Sequence, residues 1–333
     1  AVREQLERGS SYLLVNEPAI RLAEAIVELV PCAEAVSFHS TGSEATFFAL
    51  RLARAFRRRD TILKFEGAYH GMGDHALMST QWTYEPAPFP AAVPSSSGIP
   101  ASARAEVLVA PFNDLATTTA IIEQHHDALA AVIVEPLQRT IPPAPGFLTE
   151  LRRITAHYGI VLVFDEVVTG FRLALGGAQE RYGVTPDLCA LGKSISAGHP
   201  LGVVCGRRDI LALADPERRE HGDSVLLTGT YSGNPISAVA ALACIAELRR
   251  PGVYAALAAT GSQLMTTLQR LCDEARVPVH VLGEPSVFQP WFTSGEIVDH
   301  RSTLGADRGR AAAFTDRLLD AGVVKAHEKF FLS

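Results

Sequence analysis

Between residues 30 and 250, short apolar runs alternate with amphipathic stretches, and this alternation constrains the fold more than any other feature. The runs fall at 35–38, 61–65, 107–110, 131–134, 160–164 and 201–204, and are rich in Val, Ile and Leu. Helix-like segments lie between and after them, at 44–58, 114–125, 147–157 and 237–248. Strands that are apolar at consecutive positions must be buried on both faces, and helices between them supply the cover. The pattern predicts a mainly parallel α/β sheet sandwiched by helices. Ligands in such sheets sit at the carboxyl ends of the strands, so the residues just after each run carry the functional information.

Beyond residue 250 the pattern changes. A long helix over 252–276, short strands near 279–282 and 287–292, and a helix near 307–321 read as a smaller α+β unit. The expected division is a large α/β domain over 1–250 and a small C-terminal domain over 251–333, in keeping with about two domains for 333 residues. Residues 79–104 carry Trp82, Tyr84 and five prolines, and read as a long structureless connection that is mobile or lines a site. A net charge of −6 gives little attraction for nucleic acid or an anionic membrane. The arginines at 51, 54, 57, 58 and 59 sit toward a helix C-terminus, where cations are favoured, and are not read as a nucleic-acid patch. No apolar run approaches the roughly 18 residues of a membrane span. The first residues, with Arg3, Glu4, Glu7 and Arg8, contain no apolar signal core. Five cysteines without a C-x-x-C pair suit a reduced, cytoplasmic protein with cysteine as core filler and no metal. His125 and His126 are adjacent on a helix and cannot both face one metal.

Several turns after the strands carry chemistry. In Ser40-Thr-Gly-Ser-Glu-Ala45, Gly42 permits close backbone approach at a helix start, and Thr41 and Ser43 add donors. That turn suits a phosphate or serves as an ordinary cap. In the run 161–167, Asp165 and Val167 share one face and Glu166 points to the other. An acid ending a buried strand needs a cationic partner or caps the next turn. Lys193 follows a strand-like segment directly and is flanked by small residues, a setting for amine chemistry or for a solvated side chain. Gly67-Ala-Tyr-His-Gly71 holds Tyr69 between glycines, and Gly229-Thr-Tyr-Ser-Gly-Asn-Pro235 opens an apolar helix. Taken together, a phosphate cup, an acid, an aromatic ring and a lysine match the needs of pyridoxal 5′-phosphate (PLP).

The order of these motifs carries a resemblance. Thr-Gly-Ser-Glu-Ala at 41–45, Lys-Phe-Glu-Gly-Ala-Tyr-His-Gly at 64–71 and Glu-Pro-Leu-Gln at 135–138 begin it. Phe-Asp-Glu-Val-Val-Thr-Gly-Phe-Arg at 164–172, Gly-Gly-Ala-Gln at 176–179, Leu-Gly-Lys at 191–193 and Thr-Tyr-Ser-Gly-Asn-Pro at 230–235 complete it. Over nearly its whole length the chain resembles class III (ω-type) aminotransferases of PLP fold type I, in the glutamate-1-semialdehyde aminomutase-like branch. The resemblance implies PLP as cofactor, with Lys193 as the Schiff-base lysine and proton carrier. It implies Asp165 as the partner of the pyridine nitrogen, and Val167 and Tyr69 on the two ring faces. Thr41, Gly42 and Ser43 match the phosphate cup, and His70 joins the cofactor-binding set. Thr230 matches a threonine that reaches the neighbouring subunit's phosphate, which implies a homodimer with shared sites.

Two outcomes share this machinery: transfer of an amino group between an amino acid and a keto acid, or intramolecular transfer as in an aminomutase. Three features depart from the mutase pattern. The lid candidate 72–104 is rich in Trp, Tyr and Pro, Arg139-Thr-Ile-Pro follows Glu135-Pro-Leu-Gln, and Ser-Ile-Ser-Ala-Gly-His follows Lys193. They favour the aminotransferase, acting on an amino acid, with β- and aryl amino acids among the candidates. Arg139 and Arg172 are nominal partners for a substrate carboxylate. Family members typically extend further at both ends, so the 333 residues are expected to be part of a longer protein.

Overall fold

The computed structural model describes residues 1–12, 14–80, 85–222, 224–325 and 328–332. Seven strands form the main sheet: β1 (Ala35–His39), β2 (Thr61–Phe65), β3 (Val107–Ala110), β4 (Leu129–Val134), β5 (Val161–Glu166), β6 (Leu188–Leu191) and β7 (Gly202–Gly206). Their order is β1-β7-β6-β5-β4-β2-β3. Pairs from β3 through β6 are parallel, while β7 runs antiparallel to both β6 and β1. All six apolar runs read from the sequence are strands of this sheet, and β6 is the strand-like segment before Lys193.

Every residue of β4 and β5 is buried, as a strand covered on both faces requires. Val161 and Val163 face one way with Ile133 and Ala190, against Ala45, Ala49 and Leu52 of the Gly42–Arg57 helix. Leu162 and Phe164 face the other way, against Phe147, Leu151 and Ile154 of the Phe147–His157 helix. The Gly42–Arg57 helix starts where the Thr41 hydroxyl accepts the Glu44 N–H, and ends at Arg58 in the left-handed conformation (φ 54°). Its arginines are occupied locally: Arg51 donates to the Leu226 carbonyl, Arg54 to that of Asp60 and Arg57 to that of Leu129.

The C-terminal part has a three-stranded antiparallel sheet, β8 (His280–Glu284), β9 (Val287–Trp291) and β10 (Phe330–Phe331), in the order β10-β9-β8. The helices Val253–Glu274 and Arg308–Asp320 accompany it. Tyr254 donates its hydroxyl to the Phe171 carbonyl (2.9 Å), and Arg301 pairs with buried Glu66 (2.7 Å), so this part packs directly on the strand ends of the main sheet. Among the described residues no helix is long and apolar enough to cross a membrane.

Two sequence expectations change. The 79–104 connection is tied down and includes a short helix, Ala101–Ala105. Ser79 N–H donates to the Val93 carbonyl, Ser95 N–H donates to that of Leu77, and Arg301 lies 4.0 Å over the Phe89 ring. Backbone pairing and a cation–π contact thus replace the structureless reading. Trp82 and Tyr84 lie outside the described residues. The cysteines are also less scattered than their spacing suggests: Cys32, Cys189 and Cys205 converge, because the β6–β7 register sets Cys189 opposite Cys205.

Candidate active site

A cavity of about 400 Å³ opens at the carboxyl end of β5. Gly42, Ser43, Tyr69, His70, Asp165, Val167 and Lys193 all line it, together with Glu135, Arg139, Lys329 and Phe331. Residues separated by well over a hundred positions meet because the parallel strands all end on this side.

Asp165, 5% exposed, sits 2.8 Å (Oδ2) from His70 Nδ1, while its Oδ1 accepts the Val167 N–H at 3.1 Å. The acid is thereby aimed rather than free to rotate. The Thr46 hydroxyl, on the first turns of the Gly42–Arg57 helix, lies 2.5 Å from the His70 carbonyl and holds the 67–71 loop against that helix. Lys64 fixes the same loop from below. It is fully buried, and its Nζ donates to the carbonyls of Ala68 (2.9 Å), Ala76 (3.1 Å) and Met78 (2.5 Å), with Thr80 Oγ1 also at 2.9 Å. Burial lowers its pKa to about 7, with Glu135 opposing.

Gly42 lines the inner wall, and Gly192 and Gly202 pack close behind it. A Cβ on Gly42 would lie 2.7 Å from Val167 Cγ1, and one on Gly202 would lie 2.0 Å from the Thr41 carbonyl oxygen. A Cβ on Gly192 would lie 3.3 Å from Val167 Cγ1 and 3.8 Å from Gly42 Cα. Backbone therefore meets backbone and Val167 with no side chain between. Lys193 leaves this junction in the left-handed conformation (φ 47°), a strained state for a residue with a side chain. Its side chain opens into the cavity, yet the surrounding protein lowers its pKa, chiefly by burial; Asp165 and Glu135 oppose the shift, and Arg139 and Arg172 add to it.

The outer wall carries positive charge. Arg139 is also left-handed (φ 60°), with its N–H donating to Glu135 Oε2 at 2.9 Å. Lys329, brought in just before β10, has its pKa lowered to about 7, first by burial and then by Arg139. The Lys329 position escapes sequence reading, because it depends on the long-range pairing of Phe330 with Phe288.

The remaining sequence-predicted residues stand elsewhere. Thr41 lies beside the cavity, not on its lining, with its hydroxyl oxygen accepting the Glu44 N–H. Arg172 faces a neighbouring opening of about 1290 Å³, which also reaches Lys193, and donates to the carbonyls of Val168 and Leu332. Thr230 is exposed and lines neither space. No described residue of 72–104 lines the cavity.

The donor set fits a phosphorylated pyridine aldehyde. The amides of Gly42 and Ser43 belong to a first helical turn and have no carbonyl four residues back to bond, which suits a phosphate. Close packing of Gly42 and Gly192 against Val167 fixes Val167 on the cavity wall as an apolar face for a flat ring, with an oriented carboxylate and an amine in the same cavity.

Comparisons with known proteins agree. The family profile described as Aminotransferase class-III matches residues 1–329. The glutamate-1-semialdehyde 2,1-aminomutase of Pelotomaculum thermopropionicum is 43% identical over 330 residues, covering 97% of this chain and 73% of that protein. An ω-transaminase from Sphaerobacter thermophilus superposes with a TM-score of 0.94 at 37% identity, covering 100% of this chain and 77% of that one. A solved transaminase with PLP bound superposes at 0.90 with 27% identity, covering 100% of this chain and 76% of that one.

Proposed function

This chain belongs to the class-III aminotransferase family, with the PLP fold type I architecture and PLP as its cofactor, and we propose that it moves an amino group within or between small carboxylate-bearing substrates. The observation that carries the reading is that Lys193 and the His70-oriented Asp165 share one cavity. Bound there, the cofactor supplies an electron sink for a carbanion at the amino-bearing carbon. Lys193 would hold the cofactor through Nζ, and its lowered pKa suits that amine to take up and return a proton on the substrate side of the cavity. Asp165 holds the proton on the ring nitrogen, while His70 Nδ1 and the Val167 N–H keep its oxygens in place. Val167 and Tyr69 would bracket the ring, and Gly42 and Ser43 would receive the phosphate, all from the lining of one cavity. Arg139 and Lys329 receive the substrate carboxylate.

Thr230, exposed and away from this chain's cavity, supports a homodimer in which it reaches the partner's phosphate. Five free cysteines support a cytoplasmic setting.

Between the two outcomes, intramolecular transfer of the aminomutase kind is the leading reading, because the curated relative at 43% identity carries that name. This reverses the balance drawn from the sequence departures alone. Transfer between an amino acid and a keto acid stands second, favoured by the ω-transaminase superposition and by Arg139 where the departure falls. The test loads the protein with pyridoxamine phosphate and supplies glutamate-1-semialdehyde without any acceptor. Conversion to its isomer is expected. No conversion, with return of the visible PLP band on adding keto acids, would reverse the order.

A further inference from the structure

Behind the active-site wall, on the opposite face of the main sheet, three thiols meet in the core. Cys189 on β6 and Cys205 on β7 are direct register partners, and Cys32 completes the group from the turn before β1. Their Sγ atoms all lie within 4.8 Å of one another. Cys189 and Cys205 are fully buried and Cys32 is 5% exposed. The Cys32 N–H donates to Gln179 Oε1 (3.0 Å), which fixes the turn that carries the third sulfur.

The surroundings limit what such a cluster can hold. Its packing partners are apolar, including Leu22, Ile26, Leu191 and Val203. The neighbouring polar side chains are Gln179 and Glu166, and the Glu166 oxygens are engaged: Oε1 accepts from the Cys189 thiol (4.0 Å) and from Gln179 Nε2 (3.0 Å), and Oε2 from the Ala178 N–H (2.5 Å) and the Thr169 hydroxyl (2.9 Å). The site therefore offers three sulfurs without a free fourth ligand, whereas structural zinc sites are almost always four-coordinate. A divalent ion on three thiolates would also leave a net negative charge buried beside a carboxylate, which is unfavourable without a cationic partner.

We propose that Cys32, Cys189 and Cys205 form a binding site for a trivalent, thiol-seeking centre of the arsenite class. Binding is a ligand exchange with no change of oxidation state. Three As–O bonds of As(OH)3 break and three As–S bonds form, and each thiol proton leaves with a hydroxide as water. The product is neutral and three-coordinate, which suits a buried apolar pocket with three sulfurs. Cys32 lies on the turn before β1 rather than inside the sheet, so that turn is the segment whose opening would expose the cluster.

The experiment equilibrates the full PLP-loaded protein with sodium arsenite, in mild urea to permit opening, then removes the excess. Intact mass and arsenic X-ray absorption are read. One arsenic per chain with three sulfur neighbours is expected. Cys32→Ala, Cys189→Ala and Cys205→Ala should each weaken binding by about a hundredfold, because the chelate loses one linked ligand. Cys244→Ala and Cys272→Ala should bind as the wild type does. Cys32→Ala is the mildest of the three core changes, and circular dichroism checks its fold. Protection of three thiols from alkylation in arsenite-treated wild type gives a readout that needs no variant. Absence of arsenic from the wild type, a two-sulfur centre, binding undiminished in Cys32→Ala, or zinc retained at one per chain against a chelator would each overturn the assignment.

Discussion

Asp165 and Glu166 are successive acids on β5, both nearly removed from water, yet the two faces of the strand give them different work. Asp165 reaches a cavity and meets His70 and one backbone N–H. Glu166 meets four donors in a closed core, the Cys189 thiol among them, and burial still pushes its pKa up to about 7. Burial alone does not distinguish a working carboxylate from an architectural one. Unspent hydrogen-bonding capacity beside a cavity does, because only a group with capacity left can act on a ligand.

Lys193→Ala should have the largest effect, since it removes the cavity's amine on the Asp165 side. Turnover should fall by roughly a thousandfold or more, with loss of the visible cofactor band and an unchanged circular dichroism spectrum. The comparison itself is broken or sharpened by the neighbouring pair. Asp165→Asn should lower kcat by about a hundredfold through loss of the charge at the ring nitrogen. Glu166→Gln should keep kcat within about threefold, because its face does not touch the cavity. Equal losses in the two variants would erase the distinction between the faces.

Lys64 tests it from another side, as a charged residue on the cavity face whose role is architectural. Lys64→Met leaves three carbonyls without their shared donor and should destabilise the fold by about 3 kcal/mol in urea unfolding. At Lys329 the effect is expected on KM rather than on kcat. With a pKa of about 7, it is charged below that pH and neutral above it, so its attraction for a carboxylate is present at low pH and fades as pH rises. The KM of the wild type should therefore climb through pH 7, while Lys329→Met should show a KM raised by about tenfold at pH 6 and no such climb.

Much of the inner wall was legible in the sequence. A strand, a polar turn and a helix follow one another locally, so Gly42, Ser43, Asp165, Val167 and Lys193 could be placed without knowing what lies across the sheet. The outer wall was not. Lys329 reaches the cavity through pairing of β10 with β9, and the thiol cluster depends on which residue of β7 faces Cys189. Both are questions of register between distant segments, on which local pattern is silent. Thr41 shows a subtler limit: the sequence left its hydroxyl as a phosphate donor or a helix cap, and the oxygen accepts the Glu44 N–H as a cap while its own O–H remains able to donate.

The junction of Gly42, Gly192 and Gly202 has a consequence for how such a protein can diverge. Gly202 leaves no space against the Thr41 backbone, and Gly42 and Gly192 close on Val167, so no side chain can be added at these glycines and the inner end of the cavity tolerates little change. The opposite wall, built from Arg139, Lys329 and Phe331, is made of side chains and can be altered one residue at a time. A single scaffold can thus hold its chemistry constant while its choice of substrate drifts.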